Sequence, residues 1–242
     1  MAENNVNIPR IIHYCWFGGK PLNRKAQKCI DSWKKFCPDY EMIRWDESNC
    51  DISENRYVSE AYQSRKWAFV SDYFRLKAIC GLGGVYLDTD VELLKPLDRF
   101  LDYKGFAGFE DDAHIATCVM GGVKNLCFFC EALKIYEQRK FLLDAGKFDT
   151  TTNVEILTDL LIGNGLKTNG EKQTVMDLEI FPVDFFSPKS LKTGKITLTE
   201  NTCAVHHFDA SWQTGKQKFH TKVAQMIGED NVKRVKKIIG RR

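Results

Sequence analysis

Between Ala78 and Leu87 the chain carries ten consecutive apolar or glycine residues, Ala-Ile-Cys-Gly-Leu-Gly-Gly-Val-Tyr-Leu, and then runs straight into Asp88-Thr89-Asp90. Gly81, Gly83 and Gly84 supply the left-handed or tightly turned backbone that stops a helix. Val85-Tyr86-Leu87 then reads as a short buried strand, with the two acids at its carboxyl end. In open α/β sheets that edge is where ligands bind. The run is about half the length that spans a bilayer, so no transmembrane segment is expected.

The sequence on either side alternates between strand-like and helix-like periodicity, which predicts an α/β domain. Ile11 to Phe17 reads as a buried strand stopped by Gly18-Gly19 and Pro21. A helix is expected from Asn23 to Phe36, with Ala26, Ile30 and Trp33 at helical spacing, and Cys37-Pro38-Asp39 ends it before a strand from Tyr40 to Trp45. Ser59 to Cys80 reads as one long helix whose stripe Phe69, Tyr73, Leu76, Cys80 faces a core, beside a second stripe of Ala68, Asp72, Arg75 and Ile79. Further strands are expected at Phe106–Phe109, Ala116–Met120, Ile180–Pro182 and Cys203–Phe208, and further helices at Leu126–Leu143 and Val154–Ile162. Thr151-Thr152-Asn153 offers caps for the last of these helices.

Composition narrows the class. The chain has 242 residues, 43% apolar and 28% charged, with a formal net charge of +3, which suits a globular protein and excludes a disordered one. Nine cysteines, an odd number mostly inside apolar runs such as those around Cys15, Cys80, Cys118 and Cys127, read as buried reduced thiols. Cys127-Phe-Phe-Cys130 has redox or zinc spacing but no second pair, and its two aromatic residues suit a helix packing into a core. Met1 to Asn5 lacks the basic and apolar regions of a signal peptide, so a cytoplasmic protein is expected.

The small net charge conceals an asymmetry, because residues 213–242 hold nine basic and two acidic residues against 26 basic and 30 acidic in 1–212. Val223, Met226, Ile227, Val232, Val235, Ile238 and Ile239 recur at helical spacing among these lysines and arginines. The division expected is therefore a catalytic domain over 1–213 and a basic amphipathic helical segment over 214–242. That segment suits either peripheral attachment to an anionic membrane or packing on the domain with its basic face in water. No nucleic-acid-binding motif is present, so no nucleic-acid partner is expected.

Asp88 and Asp90 carry the strongest chemical signal. Carboxylates at i and i+2 leave an extended backbone on the same side and share one hard cation directly or through water. Mg²⁺ or Mn²⁺ takes few protein ligands and completes its shell with phosphate oxygens, which points to a diphosphate ligand.

The stretch Trp67-Ala68-Phe69-Val70-Ser71-Asp72-Tyr73-Phe74-Arg75 followed by Gly83-Gly84-Val85-Tyr86-Leu87-Asp88-Thr89-Asp90 resembles the donor site of glycosyltransferase family 32. Ile8-Pro9-Arg10-Ile11-Ile12-His13-Tyr14-Cys15-Trp16-Phe17-Gly18-Gly19 and Ala204-Val205-His206-His207-Phe208-Asp209-Ala210-Ser211-Trp212 fit the same family in the same order. The resemblance covers residues 8–212 and leans toward short proteins of capsular polysaccharide synthesis.

It implies a GT-A fold, a single domain with a mixed central sheet, and transfer of a hexose from a nucleotide sugar with retention at the anomeric carbon. The donor is UDP- or GDP-linked, and the acceptor a glycan or lipid-linked glycan. Mapped by motif, the resemblance implies that Trp16 stacks on the base and that Asp72 and Arg75 hold the donor sugar and diphosphate. Asp88 contacts the ribose and the metal's shell, Asp90 ligates the metal, and Trp212 closes over the leaving diphosphate. Tyr86, inside the same motif, joins the donor-binding set. His206 matches the family's C-terminal metal or phosphate contact. Its neighbour His207 must point to the other side of a strand, and alternation alone leaves open which of the two faces inward. His13 reads as structural, and Glu110-Asp111-Asp112 is a carboxylate cluster that either touches donor or acceptor or forms a solvated loop, the loop being the favoured reading.

Two rivals stand beside this reading. Leu87-Asp88-Thr89-Asp90-Val91 resembles the first motif of phosphatases with an aspartyl nucleophile, although that motif normally lies nearer the N-terminus. A nucleotide-sugar-binding protein without turnover would carry the same donor site.

Overall fold

Asn23 starts the first helix by accepting hydrogen bonds from the backbone N–H groups of Lys25 and Ala26, at 3.0 and 2.9 Å, in a computed structural model that describes residues 7–191 and 193–208. That helix, Arg24–Phe36 (α1), buries Ala26, Cys29, Ile30 and Trp33 along one face. Four more follow: Arg56–Gln63 (α2), Trp67–Leu82 (α3), Cys127–Glu137 (α4) and Asn153–Gly163 (α5). Where one helix was expected over Ser59–Cys80, the chain breaks into α2 and α3. Ser64 caps α2, and Arg65 takes a left-handed φ of 55° that no glycine or proline announces. The helix expected to reach Leu143 ends at Glu137, after which Phe141 turns into the core and Leu142 bridges Phe148.

The strands are Ile11–Cys15 (β1), Glu41–Trp45 (β2), Gly84–Leu87 (β3), Val91–Leu93 (β4), Gly105–Phe109 (β5), Ile115–Gly122 (β6), Gln173–Val175 (β7), Leu178–Phe181 (β8) and Ala204–His206 (β9). Seven form one sheet in the order β2-β1-β3-β6-β5-β8-β7, and β4 with β9 makes a separate two-stranded ribbon. β1 runs parallel to β2 and β3, β6 is antiparallel to β3 and β5, and β5 is parallel to β8. Strands β1, β2, β3, β5 and β8 therefore all point one way, and their carboxyl ends share one edge of the sheet. This is the α/β architecture with a mixed central sheet that a GT-A fold calls for.

Alternation along β3 divides its side chains between two cores. Val85 and Leu87 pack with Ile12, Trp33 and Phe106, while Tyr86 packs on the other face with Phe69, Tyr73 and Leu76 of α3. Each large apolar side chain buried in these layers contributes roughly 1.5–3 kcal/mol. Gly84 lets β3 lie against β1, because its φ is +108° and a Cβ there would come within 2.8 Å of the Ile11 carbonyl oxygen.

The cysteine expectation needs correcting. Cys15 and Cys118 are buried thiols as read, but Cys80 at the end of α3 is disulfide-bonded to Cys130 of α4, with Cα atoms 5.8 Å apart. Cys127 is exposed, so the two cysteines of the Cys-x-x-Cys motif pair neither with each other nor with one metal. Trp212 and the basic segment 214–242 lie outside the described residues. Among the described residues no helix is long and apolar enough to cross a membrane.

Candidate active site

Strand β3 ends in a turn. The Asp88 N–H donates to the Cys118 carbonyl on β6 at 2.9 Å, and the Val91 N–H donates back to the Asp88 carbonyl at 2.9 Å. Tyr86 donates its hydroxyl to Asp88 Oδ1 at 2.9 Å, fixing that carboxylate over the strand's end. The chain then continues as β4, which pairs with β9 so that Val91 lies opposite His206. The ribbon is tied further by the His207 N–H, which donates to the Asp90 carbonyl at 3.0 Å. His206 Nε2 lies 3.4 Å from Asp90 Oδ1, whereas His207 Nε2 meets Glu92 Oε2 at 2.8 Å. His206 is thus the histidine on the side of the acidic turn.

Asp88, Asp90 and His206 each offer one ligand atom, and these atoms all lie within 4.8 Å of one another. Two carboxylates and an imidazole fit a divalent cation of the Mg²⁺ or Mn²⁺ class that leaves positions open for phosphate oxygens. Burial opposes a charge on His206, but Cys118 and Asp90 outweigh it and move its titration well above the ordinary histidine range. A cation bound here replaces that proton, because a ligating imidazole must be neutral.

Behind the turn sits Arg75, 5% exposed. Its Nη1 donates to the Thr117 carbonyl at 2.9 Å and to Asp88 Oδ2 at 3.3 Å, and its Nη2 meets Asp72 Oδ1 at 3.0 Å. The guanidinium also lies 4.7 Å from the centre of the Tyr86 ring. Arg75 is thereby committed chiefly to protein oxygens, and it orients Asp88 more directly than it reaches into open space. Burial lifts the Asp72 carboxyl to about 6, with Arg75 pulling it down and Asp88 pushing it up.

Trp16, Asp72, Arg75, Tyr86, Asp88, Asp90 and His206 all line one cleft of about 450 Å³ at the shared carboxyl edge of the sheet. That size suits a small-molecule ligand. Trp16 follows β1 and is steadied by its indole N–H, which donates to the Lys20 carbonyl at 2.6 Å. Trp67, at the start of α3, closes the same corner, and a Cβ on Gly18 would stand 2.8 Å from its ring. His13 is buried away from the cleft, accepting from the Trp45 indole at Nδ1 and meeting the Gly83 carbonyl at Nε2, 2.7 Å away.

The cleft also holds residues that the motifs did not mark: Glu110, Thr117, Asn153 and Leu191. Glu110 departs from the favoured reading of 110–112 as a solvated loop and sits where the alternative reading put the cluster, at the ligand cleft. Asp111 folds back on the N–H groups of Ala113 and His114, both at 2.9 Å, while Glu110 lines the cleft. Burial raises its carboxyl above the usual range against the pull of His206. The signal was present in the sequence, since Glu110 follows the apolar run Phe106–Phe109 just as Asp88 follows Val85–Leu87.

Comparison with known proteins bears on the same segment. Residues 23–107 match the family model described as the glycosyltransferase sugar-binding region containing the DXD motif. Asp72, Arg75, Asp88 and Asp90 fall inside that region. Inositol phosphoceramide mannosyltransferase 3 of Schizosaccharomyces pombe is 29% identical over 140 residues, 55% of this chain and 38% of that protein. Mannosyl phosphorylinositol ceramide synthase SUR1 of Saccharomyces cerevisiae is 29% identical over 140 residues, 52% of this chain and 34% of that protein. The chain thus spans little more than a third of the length of these relatives. Among solved structures, the PaToxG glycosyltransferase aligns with a TM-score of 0.48 and 20% identity over 67% of this chain and 72% of its own.

Proposed function

We propose that this protein is a divalent-metal-dependent glycosyltransferase that moves a hexose from a UDP- or GDP-linked donor to a glycan or lipid-linked acceptor, with retention of anomeric configuration. The observation that carries the reading is the convergence of Asp88, Asp90 and His206 within 4.8 Å at the mouth of the cleft. Cleaving a sugar from a nucleoside diphosphate builds negative charge on the departing phosphate, and a cation there stabilises the transition state more than the ground state.

The placement of the charges agrees with metal dependence. The cleft is lined by the carboxylates Asp72, Asp88, Asp90 and Glu110, and by Lys20, Arg75 and His206 against them. A diphosphate placed at the turn meets the two carboxylates of Asp88 and Asp90, and a cation held between them removes that local repulsion. Asp88 and Asp90 hold that cation, Arg75 keeps Asp88 oriented, and Trp16 offers a ring for the base. The names of both fungal relatives describe mannosyl transfer to an inositol phosphoceramide, which supports a hexose donor and an amphiphilic acceptor for this chain. Synthesis of a surface polysaccharide on the cytoplasmic side of a membrane is the setting we infer.

The test is release of nucleoside diphosphate from a panel of UDP- and GDP-hexoses, with GDP-mannose included, in the presence of Mn²⁺ or Mg²⁺. Slow hydrolysis of one donor that needs the metal and disappears in Asp90→Asn supports the reading. Absence of both turnover and metal-dependent nucleotide binding across the panel rejects it, and release of phosphate from monoesters would move the assignment to a phosphatase.

A further inference from the structure

Where β5 ends and α5 begins, the wall of the cleft presents a half-buried carboxylate, Glu110, and a buried amide, Asn153, whose donor is unpaired. Glu110 lines the cleft with a carboxylate that has no hydrogen-bond partner among the described residues. Asn153 lines it too, at 2% exposure. Its Oδ1 accepts from the Tyr136 hydroxyl at 3.1 Å, and its Nδ2 is buried with no partner. A buried amide donor left unpaired is costly, and native structures seldom keep one without a role.

The surroundings hold both groups in place. Thr152 caps α5 by accepting from the Glu155 N–H at 3.2 Å, while Glu155 Oε2 accepts from the Thr152 N–H at 2.7 Å. Asn153 is therefore the first residue of a firmly started helix. Tyr136, which holds its Oδ1, is fully buried with its ring centre 5.1 Å from that of Tyr57. Glu110 is fixed from its backbone, whose N–H donates to the His114 carbonyl at 2.8 Å across the β5–β6 hairpin. Val154 and Leu191 add apolar surface to the same cleft.

We propose that this wall is a subsite for a pyranose ring, with Glu110 accepting from the ring's hydroxyls and Asn153 Nδ2 donating to one of them. The inference rests on the reading of the cleft as a nucleotide-sugar site and extends it to the sugar end. An ionised carboxylate only accepts and an amide nitrogen only donates, so the pair suits hydroxyl groups, which do both. A phosphate or carboxylate ligand would be repelled by Glu110, whereas a neutral polyol is not. Val154 and Leu191 offer contact for the ring's C–H faces. The ring belongs either to the hexose being transferred or to the acceptor, and the two sources separate by experiment.

The test compares wild type with Glu110→Gln, Glu110→Ala and Asn153→Asp. The last keeps the size of the side chain and its bond to Tyr136 while turning the unpaired donor into an acceptor. Melting temperature and Mn²⁺-dependent affinity for UDP and GDP serve as controls and are expected to stay near wild type for the Glu110 variants. Two readouts carry the decision: hydrolysis of the UDP- and GDP-hexose panel, and binding of methyl α-mannoside, glucoside and galactoside followed by ligand-observed NMR with nucleoside diphosphate and Mn²⁺ present. Loss of a charge-assisted hydrogen bond lowers an affected rate or affinity about tenfold or more. A fall in donor hydrolysis alone places the transferred hexose on this wall, and a fall in methyl hexoside binding alone places the acceptor there. If Glu110→Ala retains both within about twofold, the subsite is wrong. If wild type uses no donor but binds a methyl hexoside through Glu110, the subsite stands and the transferase reading falls. Failure of wild type in both assays overturns the two together.

Discussion

Arg75 Nη1 stands 3.3 Å from Asp88 Oδ2, and the guanidinium that makes this contact is closed off from solvent on a helix packed against the sheet. The same group holds Asp72 at 3.0 Å. One cation thus ties the acid at the end of β3 to an acid one turn away on α3, so the metal turn inherits its orientation from the core.

That arrangement makes Arg75→Lys informative. An ammonium is a single compact charge and cannot face Asp72, Asp88 and the Thr117 carbonyl at once as the planar guanidinium does. Arg75→Lys is expected to melt within a few degrees of wild type while losing about 100-fold in kcat/KM for the donor, since Asp88 is no longer held. Arg75→Ala is expected to lose about 3–5 kcal/mol of stability, because it strands the buried Asp72 carboxylate beside Asp88. Chemical denaturation and donor hydrolysis on the two variants separate these effects, and wild-type turnover in Arg75→Lys would show that Asp88 needs no such support.

The adjacent histidines should differ sharply. His206 converges with Asp88 and Asp90, while His207 pairs with Glu92 on the other side of β9 in a bond whose side chains are 33% and 46% exposed. A pair that exposed is worth about 0–1 kcal/mol. His206→Ala should weaken Mn²⁺-dependent nucleotide binding by at least the roughly 10–100-fold that metal sites lose when a supporting hydrogen bond is removed. His207→Ala should leave that affinity within about threefold. Calorimetric titration of UDP or GDP with Mn²⁺ decides, and equal losses in the two variants would contradict the geometry.

The contrast between these histidines, which the motif match resolved in favour of His206, shows where reading by periodicity alone stops. Asp88 and Asp90 were legible because their signal is local: glycines that end a helix, three apolar residues, then two acids. Which histidine joins them depends on β4, a three-residue strand with no periodicity to read, pairing with β9 more than a hundred residues later. Glu110 was obscured by its neighbours, since Asp111 and Asp112 make the triplet look solvated although the first acid terminates a buried strand. The break at Arg65 and the joining of Cys80 to Cys130 are tertiary outcomes, set by how α2 and α4 pack on α3.

The Cys80–Cys130 link closes a loop of 50 residues between α3 and α4. Constraining a loop of that size in the unfolded chain contributes about 4 kcal/mol by the chain-entropy estimate. Treatment with a thiol reductant, or the double variant Cys80→Ala/Cys130→Ala, should therefore lower the urea midpoint substantially while Cys127→Ala leaves it unchanged. Mass spectrometry after alkylation shows whether the pair is oxidised in the isolated protein. No change in midpoint on reducing a pair shown to be oxidised would mean that packing alone holds α4 on α3.

His13 supplies a pH dependence whose sign follows from its contacts. The Trp45 indole can only donate, so Nδ1 of His13 must be bare, and the proton sits on Nε2 facing the Gly83 carbonyl at 2.7 Å. Burial holds its titration below the ordinary histidine value of 6.5, against smaller opposing pulls from the Gly83 carbonyl and Glu41. The unfolded chain therefore binds a proton near pH 6.5 that the folded chain refuses. Stability from this site is fully present above pH 6.5 and is lost as pH falls below it, by up to about 1.4 kcal/mol per pH unit. His13→Gln keeps an amide donor for Gly83 but does not titrate, so other groups cancel when the two proteins are compared. The stability advantage of wild type should shrink between pH 7.5 and 5.5 in urea denaturation. A constant difference across that range would mean that the Trp45–His13–Gly83 chain accommodates a charged imidazole, and that the turn carrying Gly83 into β3 is softer than its contacts indicate.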